Sequence, residues 1–404
     1  MFSFANVAIV LATLAAAILL FRPRLLKSET WQATVTPLAS IIGSGFLVAG
    51  PILAGVAGNW AIAAMLSLCA VGYLFGAAIR YNIAHIEPEL HGSPSPLVRV
   101  VERASELALA VAYFVSVAYY LHLFAAFGLR FTGIDDMLWI RVAATIVIGG
   151  VGLVGATGGL DGLERIAVGA VALKLTLILG LFAGLIVAAG AALSAGTFQW
   201  NAPAPVYDFQ DLRVLLGLVV LVQGFETSRF LGAAYPATMR IRTMRHAQWI
   251  ATAVYLIFFL LITSYFDIDA VQATGETGII DILRPVAILI PPLIILTALA
   301  SQLSAGVADM NGAGGLLSEA SGKRLSVRIG NGLTAVAAIA IIWSADIFGI
   351  IAWASRMFVI FYALQSGQAA WSAFRRGKYA QSALFAGAVA LALVVVVFAK
   401  AAAA

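Results

Sequence analysis

The chain is poor in charge and in cysteine, and both shortages exclude classes of protein. Only 11% of its 404 residues are Asp, Glu, Lys or Arg, whereas charged residues make up about 25% of an ordinary soluble domain. Cys69 is the single cysteine, so neither an internal disulfide nor a metal site built from cysteines can form within the chain. The four histidines have no metal-like spacing. We therefore expect no metal site and no cofactor.

Hydrophobic residues dominate the composition instead. They make up 62% of the chain, and the mean hydropathy is +1.00. A helix of about 20 apolar residues crosses the hydrocarbon core of a bilayer. The pattern predicts an all-α polytopic membrane protein with about 12 spans. We place them near 3–21, 33–57, 60–80, 101–128, 138–157, 162–194, 211–234, 246–266, 284–319, 329–344, 347–372 and 380–400.

Basic residues concentrate on one side of the predicted spans. Arg22, Arg24 and Lys27 follow the first span, and acidic residues such as Asp135 and Asp136 lie in connections on the other side. Because positively charged loops stay in the cytoplasm, we expect both termini outside it, in a bacterial cytoplasmic (inner) membrane. This topology also explains the net charge of +5. No nucleic acid partner is expected.

Two of the spans contain glycine-rich polar stretches at matching places. The first is Gly43–Gly45 within 33–57, and the second is Gln223–Glu226 within 211–234. Peptide groups freed from a helix inside hydrocarbon stay unsatisfied unless they line a cavity. Two such breaks, at corresponding places in two halves of a chain, predict a transporter binding site near the midplane of the membrane.

The spacing of the breaks also predicts the organisation of the chain. Each break lies about 12 residues into its helix, and the two helices cross the membrane in opposite senses, as an inverted repeat requires. We predict an extra transmembrane helix and basic linker (1–28), two five-helix repeats (29–195 and 196–375) and a closing transmembrane helix (376–404).

Three motifs resemble those of a known family. Gly43–Phe46 is similar to the Gly-Ser-Gly motif in the first helix of amino acid–polyamine–organocation (APC) superfamily transporters. Gln223–Ser228 is similar to the Phe-x-Gly-hydrophobic-Glu pattern of their sixth helix, and Ala172–Leu175 resembles the surroundings of the Lys in proton-coupled members. The resemblance covers roughly residues 30–375. It implies a LeuT-type fold with a 5+5 inverted repeat and secondary transport, commonly of amino acids or amines.

The first break is the predicted substrate site. Its members are Ser40, Ile41, Gly43, Ser44 and Gly45. Free N–H groups and the positive end of a half-helix suit a carboxylate or another anionic group. The alternative is that these small residues only pack helices together.

The second break is predicted to face the first. Free carbonyls at Gln223 and Gly224 can accept an ammonium group, and Phe225 can close over the ligand as a gate, or can be a packed aromatic. Tyr119, on the third core helix, can offer a hydroxyl to the site or can belong to the core.

Lys174 is the predicted proton-coupling residue. It lies about 12 residues into its helix, where a charged lysine costs about 2.5–3.5 kcal/mol to insert. By the resemblance, its helix passes the first and eighth core helices, where related transporters hold sodium, and the ammonium would replace the ion. The alternatives are a permanently charged lysine bonded to carbonyls and one that extends to an interface.

Glu226 is the second predicted coupling residue, because it is a carboxylate at the same break. A structural pair with Arg229, three residues later, is the alternative. Ser301 and Ser304 share a helix face, and with carbonyls of the first helix they can form a sodium site. Sodium coupling is therefore the rival mechanism.

Arg356 and Asp309 complete the candidate set as gate residues. An intramembrane arginine is a functional-site hypothesis by default, and we expect it to bond with Asp309 or with backbone carbonyls. We expect Asp309 near the cytoplasmic end of its helix.

Together these features predict a proton-coupled secondary active transporter of a small organic solute, and we expect an amino acid or amine. The expected partners are this solute, protons (or sodium) and membrane lipids. A carrier coupled to sodium or another cation, an inorganic-cation transporter on the same fold and a transporter-like membrane sensor remain alternatives. No nucleophile–base pair, phosphate-binding loop or cofactor motif stands out, so no enzyme and no catalytic residue are expected.

Overall fold

The computed structural model describes residues 4–43, 45–92, 94–158, 160–198, 208–232, 234–265 and 275–402. Across these residues the chain forms helices and connecting turns, with no β-strand. The α-helices are α1 (Phe4–Leu20), α2 (Pro23–Leu26), α3 (Glu29–Ile41), α4 (Gly45–Ala57), α5 (Ala61–His85), α6 (Glu87–His91), α7 (Pro96–Leu129), α8 (Met137–Gly158), α9 (Leu160–Ser194), α10 (Phe209–Gly217), α11 (Ala237–Ile262), α12 (Ile279–Leu283), α13 (Ile290–Ala320), α14 (Val327–Ser344), α15 (Ile347–Arg375) and α16 (Tyr379–Phe398).

The described helices match a polytopic membrane protein. Ten helical runs are long and apolar enough to cross a bilayer, and α1 is a shorter apolar helix. One of the ten, Gly45–His85, contains α4 and α5 on either side of a single 3-10 turn. The all-α polytopic architecture predicted from hydropathy is therefore confirmed.

Several helices extend beyond the apolar stretch that identified them. The helix predicted at 246–266 begins at Ala237. Its first turns contain Arg240, Arg242 and Arg245. A helix can continue past the hydrocarbon into the polar interface, where arginines are solvated or paired, so hydropathy marks the membrane-buried length and not the helix end.

Helices of the first half of the chain pack against helices of the second half. α7 packs against α13, α8 against α14, and α5 against α11. α9 also packs against α13, and α15 against α7. The broken helices α3/α4 and α10 lie among these pairs, with α3 against α11. The bounds of the two five-helix repeats remain a prediction.

The helices outside the predicted repeats pack on different partners. α1 packs against α9 at Gly180 and Gly184, where an added Cβ would lie 2.1 Å from Thr13 Oγ1 and 2.6 Å from Ile9 Cγ1. Only glycine permits this approach, which is the small-residue packing common between membrane helices. α16 packs against α15.

Candidate substrate and coupling site

The first break separates α3 from α4. α3 ends at Ile41, the Ile42 backbone leaves the helical region (φ −84°, ψ 67°), and helix resumes at Gly45. Gly43 permits close packing, since an added Cβ would lie 2.6 Å from the ring of Tyr120. The predicted interruption is therefore present. Ser44 lies outside the described residues.

Side chains from three helices bond the carbonyl groups at the end of α3. The contacts are Lys174 Nζ to Ala39 O (2.8 Å) and Ile42 O (2.6 Å), Tyr120 OH to Ser40 O (3.2 Å), and Tyr255 OH to Ile41 O. Four successive carbonyls at the break thus have side-chain partners. A helix end inside a membrane requires such partners, because it has no water to bond.

The second break lies between two stretches of 3-10 helix. α10 ends at Gly217, the turn Val219–Val222 follows, and helix resumes at Phe225–Leu231. Between them Gln223 is extended, and Gly224 has a φ of +110°. A residue with a side chain rarely adopts this conformation. The chain therefore leaves its helical path at Gln223–Gly224, as the sequence predicts.

The two breaks touch each other. A Cβ added to Gly224 would lie 2.5 Å from the backbone nitrogen of Ile41 and 2.6 Å from the carbonyl carbon of Ser40. Glycine is therefore required at 224 both for its backbone conformation and for this contact. The two unwound segments form one continuous backbone surface inside the bundle.

Lys174 is fully buried at this surface. Besides its two carbonyl contacts, its Nζ lies 3.4 Å from Ser304 Oγ, so it joins α9 to α3 and α13. Among the described residues it forms no ion pair with Glu226. The same carbonyl contacts suit a proton-coupling lysine and a permanently charged one.

Glu226 caps the second break. Its Oε2 atom accepts hydrogen bonds from the Gly224 N–H (2.9 Å) and the Tyr362 hydroxyl (2.8 Å). Its Oε1 atom is buried and has no partner in the described part of the chain. The carboxylate thus has one oxygen holding the backbone and one oxygen free for a donor.

The alternative pair of Glu226 with Arg229 is not present. Arg229 instead forms an ion pair with Glu102 of α7 at 2.8 Å and donates to Gln365 of α15. The Glu226 carboxylate turns toward Gly224, whose N–H is free because of the break. Spacing along the helix did not reveal the longer-range partners of either residue.

Asp309 lies beside the first break. Its Oδ1 atom accepts from Ser40 Oγ at 3.0 Å, and its Oδ2 atom accepts from Ser116 Oγ. It is fully buried, about three turns before α13 ends at Ala320. Asp309 thus links α3, α7 and α13 next to the substrate-binding candidates, deeper than the expected position near the helix end.

Several polar atoms around the breaks are buried without partners in the described chain. They are Tyr119 OH, Gln223 Oε1, Glu226 Oε1 and Ser301 Oγ. The Gln223 amide nitrogen, by contrast, donates to Tyr120 OH at 2.8 Å. Ser304 Oγ donates to Ser301 O at 2.9 Å as well as lying near Lys174. Buried polar groups are normally bonded, so these unpaired atoms are candidate contacts for a polar ligand.

Phe225 belongs to a stack of three aromatic rings. Its ring lies 5.1 Å from that of Tyr362 at an angle of 20°, and Tyr362 stacks in turn on Phe75 at 5.0 Å. Phe225 is fully buried. This position suits either a closed gate or an aromatic of the core.

A small cavity borders the two breaks. Its walls include Ile41, Val222, Tyr255 and Cys69, and its volume is about 10 Å³. That space holds about one water molecule. This cavity is too small to hold an organic solute.

Among the described residues, no hydrogen bond joins Arg356 to either break. Its guanidinium donates to the carbonyl of Ala399, just beyond α16. The expected bond to a backbone carbonyl is therefore present, and the expected bond to Asp309 is not among the described contacts.

Three residues at the site were missed from the sequence. Tyr255, Tyr362 and Ser116 bond the first break, Glu226 and Asp309 respectively. In the sequence they are single polar residues within apolar spans, which also describes ordinary core positions. The one available signal is that each hydroxyl must find a partner inside a membrane.

Paired helix breaks inside a polytopic helical bundle, with buried ionisable groups at the contact, define a membrane transporter. A family model described as "APC superfamily transporter" matches residues 23–399. The chain therefore belongs to the APC superfamily.

Two further similarities agree with this assignment. A protein of Aquifex aeolicus (strain VF5), described as an uncharacterized protein, is 38% identical over 384 residues, which cover 94% of this chain and 93% of that relative. The crystal structure of MhsT in complex with L-phenylalanine superposes with a TM-score of 0.64 at 13% identity, covering 93% of this chain and 99% of MhsT. The latter similarity concerns the fold alone and confirms the predicted LeuT-type fold.

Proposed function

We propose that the chain is a proton-coupled secondary active transporter of a small organic solute, either an amino acid or an amine, working by alternating access. The observation that carries the proposal is the bonding of the Lys174 ammonium to Ala39 O and Ile42 O at the first break. Through this contact, the protonation state of one side chain acts directly on the segment predicted to bind the solute.

The chemistry of lysine supplies the coupling step. A protonated ammonium has three N–H donors, and here it has three neighbours, Ala39 O, Ile42 O and Ser304 Oγ. Charged donors form the stronger hydrogen bonds. Loss of the proton removes one donor and the charge, so the end of α3 is held less firmly against α9 and α13. Proton release is thereby linked to movement of the first break.

Contact between the breaks carries this movement to the second one. Gly224 rests against the Ser40–Ile41 backbone, and Glu226 holds Gly224. A displacement of α3 therefore alters the second break without any intermediate element.

The polar groups at the site match a zwitterion or an amine. The N-terminal end of α4, beginning at Gly45, offers free N–H groups to a carboxylate. The unpartnered Glu226 Oε1 and Gln223 Oε1 accept hydrogen bonds from an ammonium group. The complex of MhsT with L-phenylalanine supports an amino acid on this fold.

Sodium coupling is the weaker alternative. A sodium ion beside Ser301 and Ser304 requires the α3 carbonyl oxygens as ligands, and the Lys174 ammonium already donates to two of them. A second positive charge a few ångströms away is repelled strongly in a medium of low dielectric constant.

The test is uptake by the purified protein in liposomes. Amino acids, amines and purines are screened with an imposed pH gradient, and separately with a sodium gradient at constant pH. We expect accumulation of at least one amino acid or amine that follows the pH gradient. Accumulation driven only by sodium would contradict the coupling assignment, and an absence of transport for all solutes under both gradients would contradict the proposed substrate class.

A matched pair of lysine variants separates coupling from folding. Lys174→Ala is expected to abolish accumulation against a gradient while retaining downhill entry of the same solute. Lys27→Ala removes an exposed lysine and is expected to behave as the wild type. Equal proton dependence in both variants would remove Lys174 from the mechanism.

A further inference from the structure

A second pocket contains no residue of the helix breaks in its wall. It lies at the end of the bundle where α5 ends and α7 begins. It has a volume of about 250 Å³, about eight times the share of one molecule in liquid water. Its walls are Ile86, Glu89, Val98, Gln368, Trp371, Ser372, Arg375 and Arg376. This is the side of the bundle predicted to face the cytoplasm.

One face of α15 supplies most of the polar wall. Gln368, Trp371, Ser372 and Arg375 are spaced at i, i+3, i+4 and i+7, so they follow one another along the same side of the helix. The helix thus presents an amide, an indole, a hydroxyl and a guanidinium in order, from the buried end of the pocket toward its mouth.

Gln368 is the most informative member of this row. Its side chain is 6% exposed, and neither its amide oxygen nor its amide nitrogen has a hydrogen-bond partner in the described chain. A buried amide without partners is unfavourable, because it has lost its hydrogen bonds to water and gained none in return. Packing alone does not explain a glutamine here, because a methionine of similar size would fill the same space at no such cost. A ligand that both accepts and donates hydrogen bonds would satisfy both atoms.

Positive charge gathers at the mouth of the pocket. Arg375 and Arg376 are exposed, and neither forms an ion pair with a carboxylate among the described residues. Arg376 lies 3.4 Å from both Ser372 Oγ and the His85 carbonyl, which holds it at the rim. Arginines at a helix C-terminus also interact favourably with the helix dipole, but that effect leaves the Gln368 amide unexplained.

We propose that this pocket binds the phosphate headgroup of an anionic phospholipid. The guanidinium groups of Arg375 and Arg376 hold the phosphate, as arginine forks do. The Gln368 amide bonds the hydroxyl groups of the headgroup. Trp371 is 51% exposed and carries an indole ring, which favours the membrane interface. The Glu89 carboxylate in the same wall opposes an anion and therefore weakens the binding of the phosphate.

Lipid retention measured by native mass spectrometry tests the proposal on the full chain. Phosphatidylglycerol and phosphatidylcholine are titrated onto the detergent-purified protein, and sn-glycerol 3-phosphate serves as the soluble phosphate ester. We expect tighter retention of phosphatidylglycerol than of phosphatidylcholine, and no displacement by glycerol phosphate. Equal binding of the two lipids would overturn the proposal, and displacement by glycerol phosphate would assign the pocket to a soluble ester instead.

Variants distinguish a built pocket from general surface charge. The double variant Arg375→Gln/Arg376→Gln and the single variant Gln368→Met are each expected to weaken retention about tenfold. The control is Arg242→Gln/Arg328→Gln, which removes the same charge at exposed positions outside the pocket, and it is expected to retain lipid as the wild type does. An equal loss in the control would show surface attraction only and overturn the proposal.

One further variant is expected to bind the lipid more tightly than the wild type, a result that misfolding cannot explain. Glu89→Gln removes the carboxylate from the pocket wall and is expected to increase retention of phosphatidylglycerol. Unchanged or weaker retention in this variant would contradict the placement of the phosphate in the pocket.

Discussion

The Nζ atom of Lys174 lies 2.6 Å from the carbonyl oxygen of Ile42, the residue directly after the end of α3. One buried side chain thus bonds the backbone of the predicted substrate site from a different helix. The contact gives the proposed transporter a physical link between protonation and helix movement, and the predictions below test the parts of that link.

Replacement of Gly224 by alanine should disrupt the contact between the breaks. The backbone at Gly224 has a φ of +110°, and an added Cβ would lie 2.5 Å from Ile41 N. We expect loss of transport and a decrease in unfolding free energy of about 1–3 kcal/mol. Solute uptake and chemical unfolding of the purified variant measure the two effects.

Gly149→Ala is the matched control for this substitution. Gly149 lies within α8, and nothing lies within 4 Å of its added Cβ. Alanine there should leave transport intact and stabilise the helix by about 0.5–1 kcal/mol. Loss of transport in both variants alike would argue against a special role for Gly224.

Two substitutions of Glu226 should separate its charge from its hydrogen bonds. In Glu226→Gln the amide oxygen can still accept from the Gly224 N–H and the Tyr362 hydroxyl, so stability should be nearly that of the wild type. Glu226→Ala leaves both donors buried and unpaired, at about 1–3 kcal/mol each. Thermal unfolding in detergent should therefore rank the alanine variant well below the glutamine variant.

Solute binding should depend on the negative charge of Glu226, which the glutamine variant lacks. We expect Glu226→Gln to bind an ammonium-bearing solute at least about tenfold more weakly, since a charged acceptor is replaced by a neutral one. Isothermal titration with the transported solute measures this. Wild-type affinity in the glutamine variant would exclude Glu226 as the acceptor.

The ion pair of Arg229 with Glu102 should contribute strongly to stability. Their side chains are 4% and 12% exposed, so removal of the arginine leaves an uncompensated carboxylate in a buried place. We expect Arg229→Ala to cost about 3–5 kcal/mol. Arg284→Ala, which breaks an exposed pair with Asp281, should cost about 0–1 kcal/mol. Similar unfolding free energies for the two variants would contradict the described pairing.

Glu276 should make stability depend on pH. It lies in the connection before α12, and burial raises the pKa of its carboxyl above the ordinary value of 4.5, while Arg130 opposes the shift. The protonated form is therefore favoured in the folded state. The stability that this preference contributes to the folded protein is complete below about pH 4.5, and it is lost as the pH rises through the folded-state pKa.

The glutamine variant of Glu276 should therefore be the more stable protein at neutral pH. We expect Glu276→Gln to unfold about 1–3 °C above the wild type at pH 7.5 and at the same temperature at pH 4. Asp135→Asn, at an exposed position, is the control and should show no such pH-dependent gain. A constant difference between Glu276→Gln and wild type at all pH values would contradict the burial argument.

The sequence was most informative about the backbone and about isolated ionisable residues. A Gly-rich polar stretch inside an apolar span has few explanations in a membrane, so both breaks were predictable. The bonding of Lys174 to backbone carbonyls was predictable for a similar reason, since a lysine in the middle of the membrane must find oxygen atoms. The partner of Arg229 was not, because Glu102 lies on a helix from the other half and no local spacing relates the two. Tyr255 and Tyr362 were missed because a tyrosine in an apolar span resembles any core aromatic.

The central claim is that Lys174 carries the coupling proton, and proton movement during downhill solute entry tests it most directly. The transported solute is added to proteoliposomes without a pH gradient, and a pH-sensitive dye reports the lumen. Wild-type protein should acidify the lumen as solute enters, whereas Lys174→Gln should admit solute without acidification. Acidification by Lys174→Gln at the wild-type ratio of protons to solute would contradict the account.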